Sequence, residues 1–502
     1  MSTKYELITT TSQLDKALST LRERRAIGVT IETTGLDPYL HKIRTLQLGI
    51  PEFAFVIDLF QTPEFIHLLQ PILIADRPTK IFHNAKFTLK MLNQHYGIVV
   101  KGIFDTMLAA QLIGGGRENA IFSLSELLGK YGISIGEASG SDELFGVSES
   151  ENQIASAARR AMSLVQVYEK QRLKLQELAL IKIAKLEFDC VAAIVEMELA
   201  GILLDTERWK ALIAITAKQH KELADEIKRQ LQPANSQLNL FQEVQLNLDS
   251  PQQVLEAFRR IGVPLKNTRS IHMDQFADEY PLIDKFLEYR GLQKLLTSHG
   301  ENIFRFIHPV TGRIHANFLQ IGTPSGRLAC HDPNLQQVPR SVNYRSCFIA
   351  PTGRKFIVAD YSQIELRILA GLANDATLIS AFESGVDLHK TIASQMFGIP
   401  LESVTTEYRE AAKKLNYGIV YGMGAKGLGR ITGRTLSESE ELIDKYFATY
   451  REVARWLRQA GDQAVKTRSS RTKLGRLVAY SFDADDQTEV AAINRYGRNT
   501  PI

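Results

Sequence analysis

A single acidic residue at the end of an apolar run is the first candidate for chemistry. Residues 356–359 read Phe-Ile-Val-Ala and predict a short buried strand, which Asp360 follows directly. The apolar pattern at 364–370 predicts a helix, so Asp360 lies where the backbone changes direction and its carboxylate can face a cleft. Such a carboxylate suits a metal ion; the alternative is an Asp that only caps the following helix.

A second set of residues recurs every four positions. Two cations and two aromatic residues form it, namely Arg409, Lys413, Tyr417 and Tyr421. Each step of four residues turns a helix about 40° beyond a full turn, so the side chains share one face. Such a face can bind a triphosphate through its cations and a sugar and base through its rings. In an isolated helix the pattern also fits a solvated basic edge beside aromatic core residues.

The neighbouring residues favour binding at this face. Three apolar residues lie on another face, which we expect to pack inward: Ala412, Leu415 and Ile419. Asn416 adjoins the cationic face. We expect Gly418 and Gly422 to leave space beside the rings, where a base pair can approach closely.

The composition is that of an ordinary globular protein. The 502 residues are 44% hydrophobic, and 60 Lys and Arg against 56 Asp and Glu leave a net charge of only +4. This length fits two to four domains, and any basic groove must come from local clustering. Cys190, Cys330 and Cys347 have no metal-ligand spacing, so no zinc site is expected. We find no signal-peptide pattern and no apolar run near the about 18 residues that cross a bilayer, which predicts an intracellular protein without a membrane partner.

The apolar pattern changes along the chain. Up to residue 180, apolar runs at 26–29, 53–57 and 80–82 alternate with helical segments, as in an α/β domain. A polar stretch at 136–152 predicts a surface loop. After 180 the pattern becomes long and helical, and the polar residues 233–237 predict the tip of a projecting helix pair.

Three motifs, in this order, resemble those of family A DNA polymerases, the bacterial DNA polymerase I type without its 5′ nuclease domain. Thr323-Pro-Ser-Gly-Arg327, followed by Pro333-Asn-Leu-Gln336-Gln337, is similar to the family's template-primer segment. Asp360-Tyr-Ser-Gln-Ile-Glu365 is similar to its first palm motif, and the segment from Arg409 to Gly422 to its fingers helix. Glu198-Leu-Ala-Gly-Ile-Leu-Leu-Asp205 and Asp387-Leu-His389 are weaker matches.

The resemblance implies an α/β domain followed by a mostly α-helical region. A ribonuclease H-like domain of the 3′–5′ exonuclease type is expected first, and an incomplete right-hand polymerase domain second. The expected divisions are an exonuclease-like domain at 1–180, thumb at 181–305, first palm part at 306–373, fingers at 374–474 and a second, truncated palm part at 475–502.

For the reaction, the resemblance implies two Mg²⁺ ions held by two palm carboxylates. Asp360 matches the first carboxylate, and the Tyr361 backbone carbonyl is expected to assist as a ligand. Glu365 is expected to close the sugar pocket against a 2′-hydroxyl, which favours deoxynucleotides. Ser362-x-x-Glu365 is also the pattern of a helix capping box, and both roles can coexist.

The resemblance also implies a set of nucleotide-binding residues. Arg409 and Lys413 are expected to bind the triphosphate, and Lys413 to donate a proton to the departing pyrophosphate. The other expected nucleotide contacts are Gln363, Glu365, His389, Tyr417 and Tyr421. Tyr417 stands where many relatives have Phe, and its hydroxyl is expected to weaken discrimination against dideoxynucleotides.

Further residues are expected to contact DNA. They are Arg327, Asn334, Gln336, Gln337, Asn416, Arg495 and Asn499. Arg327 and Gln336 are expected to bind the minor-groove side of the primer terminus, where the acceptors are common to all base pairs.

The first domain resembles the family's 3′–5′ exonuclease domain but lacks most of its acids. The degenerate positions are Thr30, Glu32, Thr88 and Arg160. One acid cannot hold two divalent ions, and Arg160 would repel them. We therefore expect no proofreading; the alternative is a live exonuclease that uses other acids, such as Asp105.

The second palm carboxylate is not found in this sequence. No His-Asp pair follows Asp360, and the segment with Arg495 and Asn499 matches a helix that in similar enzymes continues to a His-Asp-Glu hairpin. We expect the N-terminal portion of a replication or repair DNA polymerase, inactive alone and completed by a C-terminal fragment. Primer-template DNA and deoxynucleoside triphosphates are its other expected partners, in the cytoplasm at the nucleoid. The alternative is a catalytically inactive remnant that binds primer-template DNA.

Overall fold

The structure, a computed structural model, describes residues 4–116, 123–134, 151–231, 246–277, 279–323 and 325–502. The chain forms two compact units. The first comprises Met1–Leu199, Phe318–Ala329 and Ala359–Ile502, and the second comprises Ala200–Asn317 and Cys330–Val358. Residues 136–150 of the surface loop predicted at 136–152, and the helix tip predicted at 233–237, lie outside the described residues.

A six-stranded sheet forms the N-terminal part of the first unit. Its strands are β1 (Tyr5–Ile8), β2 (Ala26–Thr33), β3 (Ile43–Ile50), β4 (Phe53–Asp58), β5 (Thr79–Phe82) and β6 (Ile103–Asp105). They are ordered β1-β4-β3-β2-β5-β6, and β3 is antiparallel to both of its neighbours. The apolar runs predicted as strands at 26–29, 53–57 and 80–82 lie in β2, β4 and β5.

Helices cover this sheet because each has one apolar face. They are α1 (Thr11–Arg22), α2 (Phe65–Ile74), α3 (Ala85–Tyr96), α4 (Thr106–Gly114), α5 (Leu124–Lys130), α6 (Glu151–Glu177) and α7 (Ile181–Ala200). Helix α6 crosses β2 and β3 with small buried residues, among them Ala157, Ala158 and Ala161, which allow a close approach to the strands. Residues 151 and 152, predicted as the end of the surface loop, instead belong to the first turn of α6.

The next stretch of chain is mainly helical. Its elements are β7 (Leu203–Leu204), α8 (Thr206–Leu231), α9 (Pro251–Arg260), α10 (Ser270–Met273), α11 (Leu282–His299), β8 (Asn317–Leu319), β9 (Ala329–His331), α12 (Val342–Arg345) and β10 (Phe348–Ile349). In the second unit α8 packs along α11, and the fully buried Trp209 donates from Nε1 to the His299 carbonyl at 3.0 Å. This bond satisfies the polar atom of an otherwise apolar core residue.

The C-terminal part of the first unit is a second, helical core. It contains α13 (Ile364–Ala373), α14 (Ala376–Glu383), α15 (Leu388–Phe397), α16 (Thr406–Val420), α17 (Ala425–Thr432), α18 (Leu436–Thr449), α19 (Arg451–Thr467), β11 (Ser469–Arg471), β12 (Leu477–Ala479) and α20 (Gln487–Asn499). Short 3₁₀ turns occur at Asp274–Phe276, Glu301–Phe306, Leu335–Gln337 and Leu401–Ser403. None of the helices in the described part of the chain is long and apolar enough to cross a membrane.

The predicted strand at 356–359 is wrong. These residues form no regular element, and Ile357 and Val358 are 95% and 92% exposed. An apolar segment becomes a buried strand only when neighbouring strands pair with it, and no described strand does so here. The helix predicted from Ile364 is present as α13.

The predicted capping box at Ser362 and Glu365 is also wrong. Gln363 is the N-cap residue of α13, it has a left-handed backbone with φ of 53°, and no side chain caps the helix. The Ser362 carbonyl instead accepts from Arg367 Nε at 3.0 Å. The structure therefore leaves Glu365 free of the capping role.

Candidate functional site

Helix α16 carries the predicted cationic and aromatic face. The Thr405 side chain caps its start by accepting from Tyr408 N at 3.4 Å. The predicted inward residues are buried: Ala412, Leu415 and Ile419. Arg409, Lys413 and Tyr417 are partly exposed on another face, and the helix ends one residue before Tyr421. The predicted shared face is thus present from Arg409 through Tyr417, while Tyr421 lies just past the end of the helix.

Arg409 is held by Asp387 from the neighbouring helix. Asp387 Oδ2 accepts from Arg409 Nε at 2.8 Å, while Oδ1 accepts from the backbone N–H groups of His389 and Lys390 at the start of α15. Burial raises the pKa of the Asp387 carboxyl, but the hydrogen bonds from Arg409 and the Lys390 N–H, together with the positive charge of Arg409, outweigh it, and the net pKa is lowered. Asp387 therefore stays charged and fixes the guanidinium. Sequence reasoning gave it no role, although an Asp two residues before His389 is an N-cap signal.

Lys413 lies one turn after Arg409. Its Nζ is 3.6 Å from Glu410 Oε2, and Arg409 Nη1 donates to Glu410 Oε1 at 3.2 Å. Lys413 and Glu410 are both 44% exposed, so this ion pair is weak and leaves the ammonium available to a stronger anion.

Asn416 lies in the interior of the protein, whereas its predicted DNA contact calls for a position at the surface. It is fully buried, and its Nδ2 donates to His389 Nδ1 at 3.0 Å. The His389 ring lies 6.0 Å from the Tyr417 ring, measured between centroids. The step of three residues from Lys413 to Asn416 turns the Asn416 side chain toward α15, where it bonds His389. The predicted DNA contact of Asn416 gains no support from this position and stays a prediction.

Arg327 and Glu365 form an ion pair close to the fingers helix. Arg327 Nη2 lies 2.9 Å from Glu365 Oε1, and Glu365 is the less exposed of the two. Tyr421 hydrogen-bonds both side chains; burial raises the pKa of its hydroxyl, and Glu365 raises it further. The structure thus brings together a predicted DNA contact, the predicted sugar gate and a predicted base-stacking ring.

The two glycines of the fingers segment serve packing within the protein. A Cβ on Gly418 would lie 2.6 Å from the Met423 side chain, and one on Gly422 would lie 2.9 Å from Arg495 Cγ. Gly422 also has a φ of +77°, which other residues rarely adopt. The predicted role of leaving room for a base pair is therefore replaced by close approach of Met423 and Arg495.

Asp360 and Tyr361 are exposed and lie before α13. Among the described residues, no group of three or more His, Cys, Asp or Glu side chains could hold a metal ion. The described donors therefore do not complete the two-ion Mg²⁺ site that the sequence predicts, and Asp360 with the Tyr361 carbonyl supplies at most part of it.

The remaining predicted DNA contacts lie on separate elements. Arg495 and Asn499 are on α20, where Asn499 Oδ1 is buried without a hydrogen-bond partner in the described part of the chain. Asn334 lies in the second unit, and its side chain accepts from Gln336 N at 3.1 Å in a 3₁₀ turn. Gln336 and Gln337 are exposed in the same turn, as a surface contact requires.

The degenerate exonuclease positions lie on β2 and the helices beside it. Thr30 Oγ1 donates to Gln47 Oε1 at 2.8 Å, and Thr88 is buried in α3. Arg160 of α6 forms an ion pair with Glu32, and its Nη1 also donates to Ser156 Oγ at 3.2 Å. A guanidinium thus occupies the side of Glu32 on which a cation would bind.

Asp105 is a structural cap. Its carboxylate accepts from the N–H groups of Ala85 at 2.7 Å and Met107 at 2.8 Å, and it caps the start of α4. Burial raises the pKa of the fully enclosed carboxyl. These hydrogen bonds are a sufficient structural reason for an acid at position 105, and no role in exonuclease chemistry is needed to explain it.

Replacing Arg160 with alanine should lower the free energy of unfolding by about 2 kcal/mol at pH 7, because Glu32 would be left charged and largely buried. Because a third of the Arg160 side chain is exposed, this loss of unfolding free energy is smaller than the loss expected when a fully buried ion pair is broken. Burial already raises the pKa of Glu32 against the opposing effect of Arg160, and the variant should raise it further. The deficit should therefore grow as pH rises above about 4.5 and shrink below it.

Chemical denaturation at pH 4 and pH 7 measures this effect. Arg172→Ala is the matched control, because Arg172 lies on the same helix and its partner Glu169 is 48% exposed, whereas Glu32 is 12% exposed. An Arg160→Ala deficit that is the same at both pH values would contradict the assignment to Glu32.

Comparison with known proteins places these features in one family. The family model described as DNA polymerase family A matches residues 217–502, and a model described as 3′–5′ exonuclease matches residues 5–139. DNA polymerase I of Chloroflexus aurantiacus is 29% identical over 520 residues, covering 97% of this chain and 54% of that protein. DNA polymerase I of Pseudomonas aeruginosa is 27% identical, covering 94% of this chain and 54% of that protein.

A solved structure is similar over nearly the whole chain. It is the POL domain of Pol1 from M. smegmatis in complex with DNA primer-template and dNTP, with a TM-score of 0.81, 26% identity, and coverage of 99% of this chain and 85% of that one. The present chain spans about half the length of the curated relatives it matches. The predicted fold class, an exonuclease domain followed by a polymerase domain, is confirmed. With more than half of its residues matched by the polymerase model, the chain belongs to family A of the DNA polymerases, of the DNA polymerase I type.

Proposed function

We propose that residues 1–502 carry the nucleotide-binding and primer-template-binding parts of a DNA-directed DNA polymerase. The observation that carries the proposal is the face of α16, where Arg409, Lys413 and Tyr417 share one side and Asp387 anchors Arg409. The solved relative of similar fold is a complex with primer-template DNA and dNTP, which supports the same ligands here. The reaction would join the α-phosphate of a nucleotide to the primer 3′ oxygen and release pyrophosphate.

Each residue on this face has a chemical task in the proposal. The Arg409 and Lys413 cations bind the triphosphate, and Lys413 transfers a proton to the departing pyrophosphate. His389 donates to a phosphate oxygen, Gln363 lines the nucleotide site, and the rings of Tyr417 and Tyr421 contact the sugar and the nascent base pair. The positions proposed to contact DNA are Arg327, Asn334, Gln336, Gln337, Arg495 and Asn499.

We also propose that a palm segment outside these 502 residues completes the catalytic site. Ile357 and Val358 are each more than nine-tenths exposed, which supports the proposal of an added segment. An apolar extended segment of this kind is stabilised when another strand pairs with it. The added segment would bring the His-Asp-Glu carboxylates beside Asp360, and the completed set would bind Mg²⁺. The expected domain divisions at 180, 305, 373 and 474 belong to the same proposal.

Primer extension tests both proposals together. Labelled primer-template, four dNTPs and Mg²⁺ are incubated with residues 1–502 alone, or with the C-terminal palm segment of a family A relative. Extension only in the second mixture is expected, and extension by the chain alone would remove the need for another segment. Binding of primer-template without extension in either mixture would favour the alternative, a noncatalytic DNA-binding remnant.

Proofreading is proposed to be absent. Glu32 is paired with Arg160, and Thr30 and Thr88 cannot replace carboxylates as ligands of two divalent ions. A labelled mispaired primer incubated with Mg²⁺ should keep its 3′ end. Trimming that Glu32→Ala abolishes would overturn this part of the proposal.

Glu365→Ala should raise ribonucleotide incorporation about tenfold relative to deoxynucleotide incorporation, because the side chain proposed to exclude the 2′-hydroxyl is removed. Competition between ATP and dATP by the completed polymerase measures the ratio. Glu383→Ala, an exposed acid at the end of α14, is the control. An unchanged ratio in an active Glu365→Ala enzyme would contradict the gating role.

Tyr417→Phe should increase discrimination against dideoxynucleotides about a hundredfold, because no hydroxyl would then replace the missing 3′-hydroxyl of the terminator. The ratio of terminated to extended products gives the discrimination. Tyr408→Phe is the control on the same helix, since Tyr408 packs against Phe397. Strong discrimination by the parent enzyme would already be inconsistent with this role of Tyr417.

A further inference from the structure

Helices α15 and α16 are joined by two polar bridges, and the second has no assigned role. The first joins Asp387 to Arg409. The second joins His389, which is 2% exposed, to Asn416, which is fully buried, with 3.0 Å between Nδ1 and Nδ2. Because both side chains are enclosed, their orientations are set by each other and not by solvent.

The chemistry of an amide decides which ring nitrogen carries the proton. In this structure the Asn416 amide turns its nitrogen to the ring, and because an amide nitrogen only donates, His389 Nδ1 is the acceptor in this orientation. A neutral ring with an unprotonated Nδ1 carries its hydrogen on Nε2. That atom has no hydrogen-bond partner among the residues that the structure describes, and its N–H is available to an acceptor.

The surroundings of the ring favour the neutral form. Burial lowers the pKa of His389, and the positive charges of Arg409 and Lys413 lower it further, against the opposing charges of Asp387 and Glu410. The ring is therefore a neutral donor at pH 7. The ring belongs to α15 and lies close enough to Arg409 and Lys413 for their charges to act on it.

We infer that Asn416 is a positioning residue that holds His389 in the tautomer with hydrogen on Nε2, so that His389 donates to a phosphate oxygen of the incoming nucleotide. The inference rests on the proposed function for the phosphate, but the tautomer itself does not. Asn416 Oδ1 is buried and has no partner in the described part of the chain. A buried oxygen without a hydrogen bond lowers stability, and an apolar residue of similar size at this position would avoid that cost. The hydrogen bond from the amide nitrogen to His389 is therefore a reason for an asparagine here.

The ring spectrum of the free chain tests the tautomer. In ¹⁵N-labelled residues 1–502, without DNA, nucleotide or metal, His389 should show an unprotonated Nδ1 and a protonated Nε2. Asn416→Asp is of similar size but offers only acceptors, so it should move the proton to Nδ1. A protonated Nδ1 in the parent chain, or the same spectrum in parent and variant, would overturn the inference whatever the polymerase activity.

Nucleotide binding tests the consequence. Titration with dATP and Mg²⁺ should give a dissociation constant about tenfold higher in Asn416→Leu than in the parent, the scale of one lost hydrogen bond to a charged group. In a His389→Ala chain the same Asn416→Leu change should have no further effect, because Asn416 acts through the ring. An equal tenfold loss in both backgrounds would indicate a general packing role and overturn the inference.

Two controls keep the outcomes separate. Thermal melting of each variant shows whether weaker binding reflects unfolding, and Asn93→Leu changes an exposed amide far along the chain that bonds Glu196. If the parent chain does not bind dATP at all, the proposed nucleotide site fails and the phosphate contact of His389 fails with it. The ring spectrum still decides whether Asn416 sets the tautomer.

Discussion

Lys413→Ala is expected to lower the rate of nucleotide incorporation by the completed polymerase about a hundredfold to a thousandfold. Charge builds up on the phosphate oxygens and the departing pyrophosphate in the transition state, and removing one positioned donor from such a site costs rate on this scale. The weak pair with Glu410 leaves the Lys413 ammonium free to serve the nucleotide. Single-turnover incorporation of one dNTP measures the effect on chemistry apart from product release.

Lys414→Ala is the matched control for Lys413. The two lysines are adjacent in the sequence, but a step of about 100° turns Lys414 away from the face shared by Arg409 and Tyr417, and it is exposed. Net charge and helix propensity change equally in both variants. Equal activity losses in Lys413→Ala and Lys414→Ala would indicate a general electrostatic effect and contradict a specific role for Lys413.

Glu198→Gln is expected to reduce the free energy of unfolding by about 3–5 kcal/mol, because it removes one charge from a buried ionic cluster. Glu198 is 3% exposed and lies 2.7 Å from Lys86 Nζ and 2.9 Å from Lys90 Nζ. It also accepts from the Phe318 N–H at 2.7 Å. Neutral glutamine keeps the shape but leaves the lysines with an uncompensated charge. Urea denaturation at pH 7 measures the loss.

The pH dependence of this loss has a defined sign. Burial raises the pKa of Glu198, but Lys90 and Lys86 outweigh it, and the net pKa lies below 4.5. A lowered carboxyl pKa gives stability that is present above about pH 4.5 and is lost as pH falls through the folded-state value. The difference between parent and Glu198→Gln should therefore shrink in acid.

Glu196→Gln, a change on the same helix at an exposed acid, is the control and should cost little. Replacing the whole cluster, Glu198→Leu with Lys86→Met and Lys90→Met, should recover the part of the loss that comes from uncompensated charge, but not the hydrogen bonds of the Phe318 N–H and carbonyl. A pH-independent deficit in Glu198→Gln would show that the ionic cluster is not its cause.

The Glu198 cluster and a second contact give the exonuclease-like domain a structural role. Lys86 lies on α3 of that domain and also donates to the Phe318 carbonyl at 2.7 Å. Ala479 N of the β11–β12 hairpin donates to the Gly115 carbonyl at 2.7 Å, and Arg476 of the same hairpin pairs with Glu187 of α7. These contacts support the hypothesis that a domain without its catalytic acids persists because it packs against the polymerase part.

Residue spacing in the sequence predicted the structure correctly where that structure depends on residues close together in the chain. The four-residue spacing from Arg409 to Tyr417, and the apolar residues Ala412, Leu415 and Ile419, predicted the exposed and buried faces of α16 correctly. A helix satisfies its backbone hydrogen bonds within one segment, so spacing alone places its side chains. The same holds for the strands at 53–57 and 80–82, which are apolar and lie in a sheet built from the same stretch of chain.

The strand at 356–359 failed for the complementary reason. Its Phe-Ile-Val-Ala sequence is suited to a buried strand, but pairing depends on residues distant in the chain, and no described strand lies beside it. The burial of Asn416 was also not foreseen, because three residues along the helix from the partly exposed Lys413 the chain already faces α15. The spacing of apolar residues along the chain predicts neither the pairing of the 356–359 segment nor the burial of Asn416.

By itself the sequence determined the family and the helical face that presents Arg409 and Lys413, and it predicted the loss of acids from the exonuclease-like domain, because each depends on residue types at short spacing. Only the tertiary structure decided which groups meet: Asp387 with Arg409, Asn416 with His389, Arg160 with Glu32, and Glu198 with its lysines. Hydrogen bonds and ion pairs act over about 3–4 Å, and the partners in these pairs are brought to that distance only by the packing of separate helices and strands.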